Sequence, residues 1–166
     1  MIILGIDPGI AIVGYGVIEF KNQRFTTLTH GAITTQAKVL TERRLEIIYD
    51  EMVKIIEMFH PSDIAIEELF FNTNQKTIIT VAEARGVILL CARHKKLNVF
   101  EYTPLQVKQA VVGYGRAEKS QIILMIKDIL GLKTALKLDD TADALAIAVC
   151  HAHTGASRLK EYYNIK

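Results

Sequence analysis

The chain has little of what small disulfide-stapled or zinc-stapled domains need. Its 166 residues contain only two cysteines, Cys91 and Cys150, and no Cys-x-x-Cys pair. Both lie in apolar stretches with helical periodicity, so neither a disulfide scaffold nor a structural zinc site is expected. This cysteine usage fits a reducing compartment, and we expect the protein in the cytoplasm.

Long apolar runs and leader-like segments are also missing. No apolar run approaches the about 18 residues that a membrane-spanning helix needs. The N-terminus has no basic region and soon meets a carboxylate, Asp7, which is unlike a signal peptide. Apolar residues make up 50% of the chain, which excludes intrinsic disorder. We expect one domain over residues 1–155, followed by a C-terminal tail over residues 156–166.

The sequence has no large excess of one charge. It holds 20 Lys and Arg against 18 Asp and Glu, so total charge does not identify a nucleic-acid-binding protein. The local distribution is uneven, because residues 38–68 carry four basic and eight acidic side chains whereas residues 85–119 carry seven basic and two acidic ones. The basic segment fits contacts with backbone phosphates, but it equally fits an ordinary solvated surface.

Hydrophobic periodicity predicts an α/β fold. The chain opens with three short strands joined by tight connections, which is typical of an antiparallel meander. Helical and strand patterns alternate after that. The predicted strands cover residues 2–6, 14–20, 25–30, 64–67 and 98–102, and the predicted helices cover residues 41–59, 74–95, 104–113, 118–130 and 139–153. This order predicts a five-stranded mixed sheet, with three antiparallel strands and parallel βαβ units, flanked by helices; it resembles the ribonuclease H-like architecture.

Acidic residues fall at the ends of two predicted strands. Asp7 follows the apolar run of residues 2–6, and Glu67 follows that of residues 64–66. A charge that abuts a buried strand is costly unless it is paired or binds a metal ion. Ligands of open α/β sheets bind at the carboxyl ends of the strands, so we expect both acids to face one site.

A third acidic group opens the last predicted helix. Asp140 and Asp143 are three residues apart and share a helix face. Acids at a helix start can also be caps: we favour capping for Asp139, leave both interpretations open for Asp140 and favour function for Asp143. Oxygen ligands without Cys or His suit Mg²⁺ or Mn²⁺, and two such ions about 4 Å apart can clamp a phosphodiester.

Three further features allow more than one interpretation. Gly14-Tyr15-Gly16 fits a β-hairpin turn or a backbone that phosphate approaches closely. Residues 69–76 place two adjacent phenylalanines in a polar loop, where one could stack on bases or both could pack under the next helix. His151 and His153, near the end of the last helix, are expected to have surface or helix-dipole roles rather than to ligate metal.

Four motifs, in order along residues 6–149, resemble those of the RuvC family of crossover junction endodeoxyribonucleases. They are Ile6-Asp7-Pro8-Gly9 with Gly14-Tyr15-Gly16; Ile66-Glu67 with Phe70; Thr103-Pro104, Val107-Lys108 and Val111-Val112-Gly113-Tyr114-Gly115 with Lys119; and Asp140-Thr141-Ala142-Asp143-Ala144-Leu145-Ala146. The resemblance implies a bacterial enzyme that resolves four-way (Holliday) DNA junctions by paired symmetric nicks in recombination and repair. It also implies 5′-phosphate and 3′-hydroxyl ends.

The resemblance assigns a role to each matching residue. The catalytic acids, binding two Mg²⁺ ions per site with Mn²⁺ as a substitute, would be Asp7, Glu67, Asp140 and Asp143, with Glu68 a less favoured candidate. Lys108 and Lys119 would lie near the scissile phosphate, where Lys119 stabilises the developing charge, and Phe70 would enter the junction. Arg116 and Lys76, from the basic segment and the loop after Glu67, complete the predicted DNA-binding set.

The resemblance also implies partners. Proteins of this family act as homodimers beside a branch-migration motor, RuvA and RuvB. The helix over residues 74–95 would contribute to the dimer interface, where Gly86 would permit close approach of the partner, although it could equally serve packing within the chain. Three other functions are weighed against this one: a nuclease acting on RNA or an RNA–DNA hybrid, a phosphotransferase of the actin and sugar-kinase superfamily, and a non-catalytic junction-binding protein.

Overall fold

The computed structural model describes residues 1–68, 75–133 and 139–156, with the backbone alone at residues 75–77 and 156. The elements follow the predicted order: β1 (Ile2–Asp7), β2 (Ile12–Lys21), β3 (Arg24–Thr34), α1 (Thr41–Phe59), β4 (Asp63–Glu67), α2 (Gln75–His94), β5 (Asn98–Tyr102), α3 (Pro104–Val112), α4 (Lys119–Leu130) and α5 (Asp139–Ala156). None of these helices has the combined length and apolar character that a membrane span requires. The predicted tail lies outside the described residues from residue 157 onward.

The strands form one mixed sheet in the order β3-β2-β1-β4-β5. β2 pairs antiparallel with both β1 and β3. β4 pairs parallel with both β1 and β5. The predicted combination of an antiparallel meander with parallel βαβ units is therefore confirmed, and the carboxyl ends of β1 and β4 lie at the same edge of the sheet.

Alternation along the strands decides which side chains face which helices. Leu4 and Ile6 of β1 belong to a core shared with α1 and α2, whereas Ile3 belongs to a core shared with α3, α4 and α5. Asp7 is an even number of residues from Ile3 and so lies on the α5 side. Ala65 of β4 also packs in the α5 core, which puts Glu67 on that side.

Helix α5 lies directly on bare backbone of β1 and β2. A Cβ atom on Gly5 would stand 2.1 Å from the carbonyl oxygen of Ala144, and one on Gly14 would stand 2.1 Å from that of Asp140. On Gly16 it would meet an α5 leucine side chain at 2.6 Å. Gly14 and Gly16 lie inside β2, so their interpretation as a hairpin turn is wrong. Their missing side chains let a helix approach the sheet.

The helix ends follow the sequence signals, with one exception. Thr103 caps α3 in a reciprocal capping box, and Pro104 opens that helix. Gly113 and Gly131 end α3 and α4 in the left-handed conformation, as expected for glycine at this position. Thr41, predicted to be the N-cap of α1, is instead its first helical residue.

A buried polar network joins α5 to β4 and β5. His151 is 1% exposed, its Nε2 lies 3.1 Å from Oδ2 of Asp63, and its Nδ1 lies 2.7 Å from the Tyr102 hydroxyl. The Asn98 amide donates to the other Asp63 oxygen. The surface role expected for His151 is therefore wrong, whereas His153 is exposed. These bonds satisfy polar groups that would otherwise be costly to bury.

The contact of α5 with bare strand backbone predicts a large stability effect for Gly5→Ala. Because the added methyl group must displace helix backbone, we expect the free energy of unfolding to fall by about 3 kcal/mol. Urea unfolding followed by circular dichroism measures this. Gly155→Ala, in α5, is the control. The added Cβ would stand 3.6 Å from a side-chain atom of His151, so the free energy of unfolding should be unchanged or slightly higher. Equal stability of Gly5→Ala and the wild type would contradict the tight contact.

Candidate active site

Four carboxylates gather where β1 and β4 end beside the first turn of α5. Asp7 is the last residue of β1, Glu67 is the last residue of β4, and Asp140 and Asp143 lie in the first turns of α5. Asp7 pairs in register with Gly14, the residue whose bare backbone admits Asp140. The acids predicted from two strand ends and one helix start thus share one site.

The acids act on each other electrostatically. Burial, followed by the charges of Glu67, Asp143 and Asp140, raises the pKa of Asp7 from 3.8 to about 7, against the opposing charge of Lys119. Burial and the charge of Asp143 also raise the pKa of Glu67. The cluster is therefore short of positive charge, which is the condition that favours binding of cations.

Lys119 partly supplies that charge from the start of α4. Its Nζ lies 2.9 Å from Oδ2 of Asp143 and 3.5 Å from Oδ2 of Asp139. Partial burial acts to lower the pKa of Lys119, but the hydrogen bond to Asp143 and the charges of both aspartates raise it above its usual value. Asp139, predicted to be a cap, is the first helical residue of α5 and forms an ion pair with Lys119.

The donor set fits a hard divalent cation, although the described side chains do not surround one point. Carboxylate oxygens are the ligands that Mg²⁺ and Mn²⁺ prefer. Within the described ranges, no three His, Cys, Asp or Glu side chains converge closely enough to hold an ion. Lys119 engages one oxygen of Asp143, Oδ2, in this arrangement.

A small cleft of about 110 Å³ opens beside the acids. Glu67 and Asp143 line it together with Lys108 of α3. The other lining residues are Pro104, Val107, Ile122, Ala146 and Ile147. This volume is below the about 300–1,000 Å³ typical of pockets that enclose a whole small molecule. The cleft therefore suits one group of a larger substrate, and Lys108 lines it together with two of the acids.

The remaining predicted DNA-binding residues lie in different parts of the chain, and not all of them are described. Arg116 is exposed in the connection before α4. Lys76 lies in the first turn of α2, where the backbone alone is described. Phe70 lies outside the described residues, so both interpretations of the phenylalanine pair stay predictions. Glu68 is exposed, and its N–H donates to the carbonyl oxygen of Tyr102 at 2.9 Å.

Members of the basic segment of residues 85–119 have different partners. Arg85 forms an ion pair with Glu101, and Lys95 pairs with Glu57 of α1 at the far end of α2. In contrast, Lys119 of α4 meets the carboxylates directly. Both interpretations of the segment, contact with backbone phosphates and an ordinary solvated surface, stay predictions.

Two side chains that hold the backbone around the acids were missed. Thr141 lies between Asp140 and Asp143, is buried, and donates its hydroxyl to the carbonyl oxygen of Gly31 at 3.2 Å. Nothing in the sequence distinguishes it from other threonines. Arg85 donates to the carbonyl oxygen of Glu67.

Arg85 did carry a signal. It shares a face of α2 with Ile78, Val81 and Ile88, and an arginine on an apolar helix face needs a buried partner. The summed charge of residues 85–119 does not show that Arg85 lies on an apolar helix face.

Comparison with known proteins identifies the family. The family model described as Crossover junction endodeoxyribonuclease RuvC matches residues 3–151. The RuvC of Alkaliphilus oremlandii (strain OhILAs) is 57% identical over 166 residues, 100% of each chain. The RuvC of Clostridioides difficile (strain 630) is 56% identical over 154 residues, 93% of this chain and 91% of the relative.

A solved structure is similar over the same extent. Thermus thermophilus RuvC in complex with Holliday junction substrate is 36% identical, with a TM-score of 0.89 over 93% of this chain and 94% of that one. This likeness confirms the expected ribonuclease H-like fold. A family match over nearly the whole chain, relatives above half identity and carboxylates at the expected strand ends together establish that the chain belongs to the RuvC family of crossover junction endodeoxyribonucleases.

Proposed function

We propose that Asp7, Glu67, Asp140 and Asp143 form the metal-binding centre with which this endonuclease cuts a four-way (Holliday) DNA junction. The observation that carries the proposal is the gathering of these carboxylates at one sheet edge, with the pKa of Asp7 raised to about 7. Membership of this nuclease family implies dependence on a divalent metal ion. An acidic cluster short of positive charge is the place where such an ion is most stabilised.

Asp7, Glu67, Asp140 and Asp143 would hold two Mg²⁺ ions, with Mn²⁺ as a substitute, and these ions would offset most of the negative charge of the carboxylates and of a substrate phosphate. The chemistry they would supply is a lowered pKa of the attacking water and stabilisation of the leaving 3′-oxygen, giving 5′-phosphate and 3′-hydroxyl ends. Asp7 and Glu67 are held at strand ends and Asp140 and Asp143 on one helix, so rigid elements fix the backbone of each carboxylate residue. Binding an ion would then need movement of side chains alone, which limits the reorganisation that the reaction requires.

The basic residues would act on the DNA. Lys119 would exchange Asp143 for the scissile phosphate, which frees that carboxylate for metal and brings a positive charge to the pentacoordinate phosphorus. Lys108 would hold the neighbouring phosphate group in the cleft. Arg116 and Lys76 would contact the backbone further out, and Phe70 would enter the junction and disturb base pairing.

The domain, compartment and partner of the reaction are also proposals. We assign the reaction to residues 1–155 as one nuclease domain. We place this domain in the bacterial cytoplasm, beside the RuvA–RuvB branch-migration complex. Cys91 and Cys150 are both free and buried, which fits a reducing compartment.

A homodimer through α2 is supported by an exposed stripe on that helix. Ile79 is 65% exposed and Leu90 is 52% exposed. Between them lie Ala82 and Gly86, also exposed, and a Cβ atom on Gly86 would meet nothing within 4 Å. The spacing puts all four on one face, opposite the buried face of α2. A two-fold dimer built on this stripe would present equal active sites to two DNA strands.

The central test is Asp7→Asn on a synthetic four-way junction with one labelled strand. Because the amide keeps the shape but removes the charge that a metal ion needs, junction binding should persist while cleavage is lost. EDTA should abolish wild-type cleavage in the same way. Glu68→Gln, an exposed neighbour of the site, is the matched control and should cleave normally.

Two results would contradict the assignment. Normal cleavage by Asp7→Asn would exclude this residue as a required metal ligand. A linear duplex and an RNA–DNA hybrid of the same sequence serve as competing substrates, and equal cutting of either would contradict selectivity for junctions.

The raised pKa of Asp7 predicts that the metal-free protein loses stability as pH rises. The folded state binds a proton between the unfolded pKa of 3.8 and the folded pKa of about 7, and the unfolded state does not. This contribution is therefore present near about pH 4 and lost above about pH 7. Asp7→Asn should flatten the decline of Tm over this range, and Mg²⁺ should raise the wild-type Tm more at high pH. Parallel Tm–pH profiles for wild type and variant would be inconsistent with this electrostatic strain.

The dimer interface can be tested with Ile79→Glu/Leu90→Glu. Charges on the exposed stripe should leave the protomer folded but oppose burial of this face, so the mass in solution should fall to that of a monomer. Paired nicking should fall with it. Met58→Glu, on a residue of α1 that is 71% exposed, is the control and should not change the mass. Light scattering after gel filtration measures the mass in solution. A monomeric wild type or a dimeric double variant would refute this interface.

A further inference from the structure

We propose that Arg85 of α2 is a positioning residue that fixes the peptide group after Glu67 and thereby aims the Glu67 carboxylate. The inference rests on the role of Glu67 in the proposed metal centre. It assigns to Arg85 a task that is distinct from contact with DNA or metal.

The contacts of Arg85 join three elements. Its Nε donates to the carbonyl oxygen of Glu67 at a long 3.4 Å, and its Nη2 lies 2.8 Å from Oε2 of Glu101. Glu67 ends β4, and Glu101 lies on β5, whose register pairs it with Ile66. One guanidinium thus ties the middle of α2 to the ends of two adjacent strands.

The burial of Arg85 shows that this arrangement is held in place. Its side chain is 14% exposed, whereas that of Glu101 is 47% exposed. A guanidinium is seldom buried unless it is paired, because it cannot lose its charge. Glu101 supplies the opposing charge, and the planar fork of arginine can then direct a further donor at the Glu67 carbonyl.

The peptide group that joins Glu67 to Glu68 is held on both of its sides. Its carbonyl oxygen accepts from Arg85, and its N–H donates to the carbonyl oxygen of Tyr102 at 2.9 Å. Since a peptide group is planar, two bonds on opposite sides restrict its rotation and so the backbone torsion at Glu67. That torsion sets the direction of the Glu67 side chain.

Glu67 needs this support because it stands at the limit of the sheet. It pairs with Tyr102 of β5, but the register between β1 and β4 ends at the pair Ile6–Ile66, one residue earlier, so Glu67 has a ladder partner on one side only. A strand end that is paired on one side only is freer to move. A misplaced ligand can slow a reaction strongly, since groups that orient metal ligands change affinity or activity by about 10–100-fold.

The test measures cleavage of junction that is already bound, in single turnover, for Arg85→Met and Arg85→Lys. Arg85→Met keeps the length of the side chain but removes both contacts, and we expect cleavage to slow about 10-fold with junction Kd changed less than about twofold. Arg85→Lys can keep the ion pair with Glu101 but lacks the fork, so it should recover only part of the rate.

A second readout does not depend on activity. In metal-free Arg85→Met, amide hydrogen exchange should become faster at Glu68 than in the wild type. Exchange of the β3 amides should be unaffected. This local change separates positioning from a general loss of stability.

Arg93→Met is the matched control. Arg93 lies in the same helix and also donates to a backbone carbonyl, that of Leu97, but at the opposite end of the helix from the site. It should leave the cleavage rate and exchange at Glu68 unchanged. If Arg85→Met does not fold, the cleavage rate and the exchange at Glu68 are compared between Arg85→Lys and Arg93→Lys instead.

Glu67→Gln separates failure of this inference from failure of the proposed function. If Glu67→Gln is inactive and the Arg85 variants match the wild type in rate and exchange, Arg85 has no positioning role. If Glu67→Gln cleaves normally, the assignment of Glu67 is wrong and the inference falls with it. Loss of rate equally in Arg85 and Arg93 variants would reduce Arg85 to a stabilising residue.

Discussion

The close contact of α5 with the bare backbone of β1 and β2 is the constraint on which the site depends. Gly5, Gly14 and Gly16 remove the side chains that would hold a helix about one side-chain layer away from the sheet. Without that approach, the first turn of α5 could not stand beside the end of β1. The buried network of His151 and Asp63 secures the other end of the same helix, so α5 is held at both ends.

This packing brings charges together against their own repulsion. Asp7 is buried by the elements that surround it, and three further carboxylates act on it. Hydrophobic packing of the two cores stabilises the fold strongly enough to tolerate this local cost. The site therefore combines carboxylates placed on rigid elements with a shortage of positive charge, which Lys119 meets only in part. Both properties favour binding of a divalent cation over binding of a neutral ligand.

Helix α2 connects the proposed interface to the proposed metal centre. Its outer face carries the exposed stripe of Ile79, Gly86 and Leu90, and its inner face carries Arg85 against the end of β4. A helix is stiff over this length, so a partner docked on one face restrains the other. The fold thus places the end of β4, helix α2 and the proposed interface next to one another.

Local sequence is enough to predict the order of the elements, several helix ends and the carboxylates at the strand ends. These features depend on local periodicity, on capping residues such as Thr103 and on where an apolar run stops, and each is visible within a few neighbouring residues. The folded chain is needed to assign the task of Gly14, the burial of His151 and the partners of Arg85. Those depend on which element lies opposite, as when Thr141 bonds Gly31 across 110 residues, and no local pattern records such a contact.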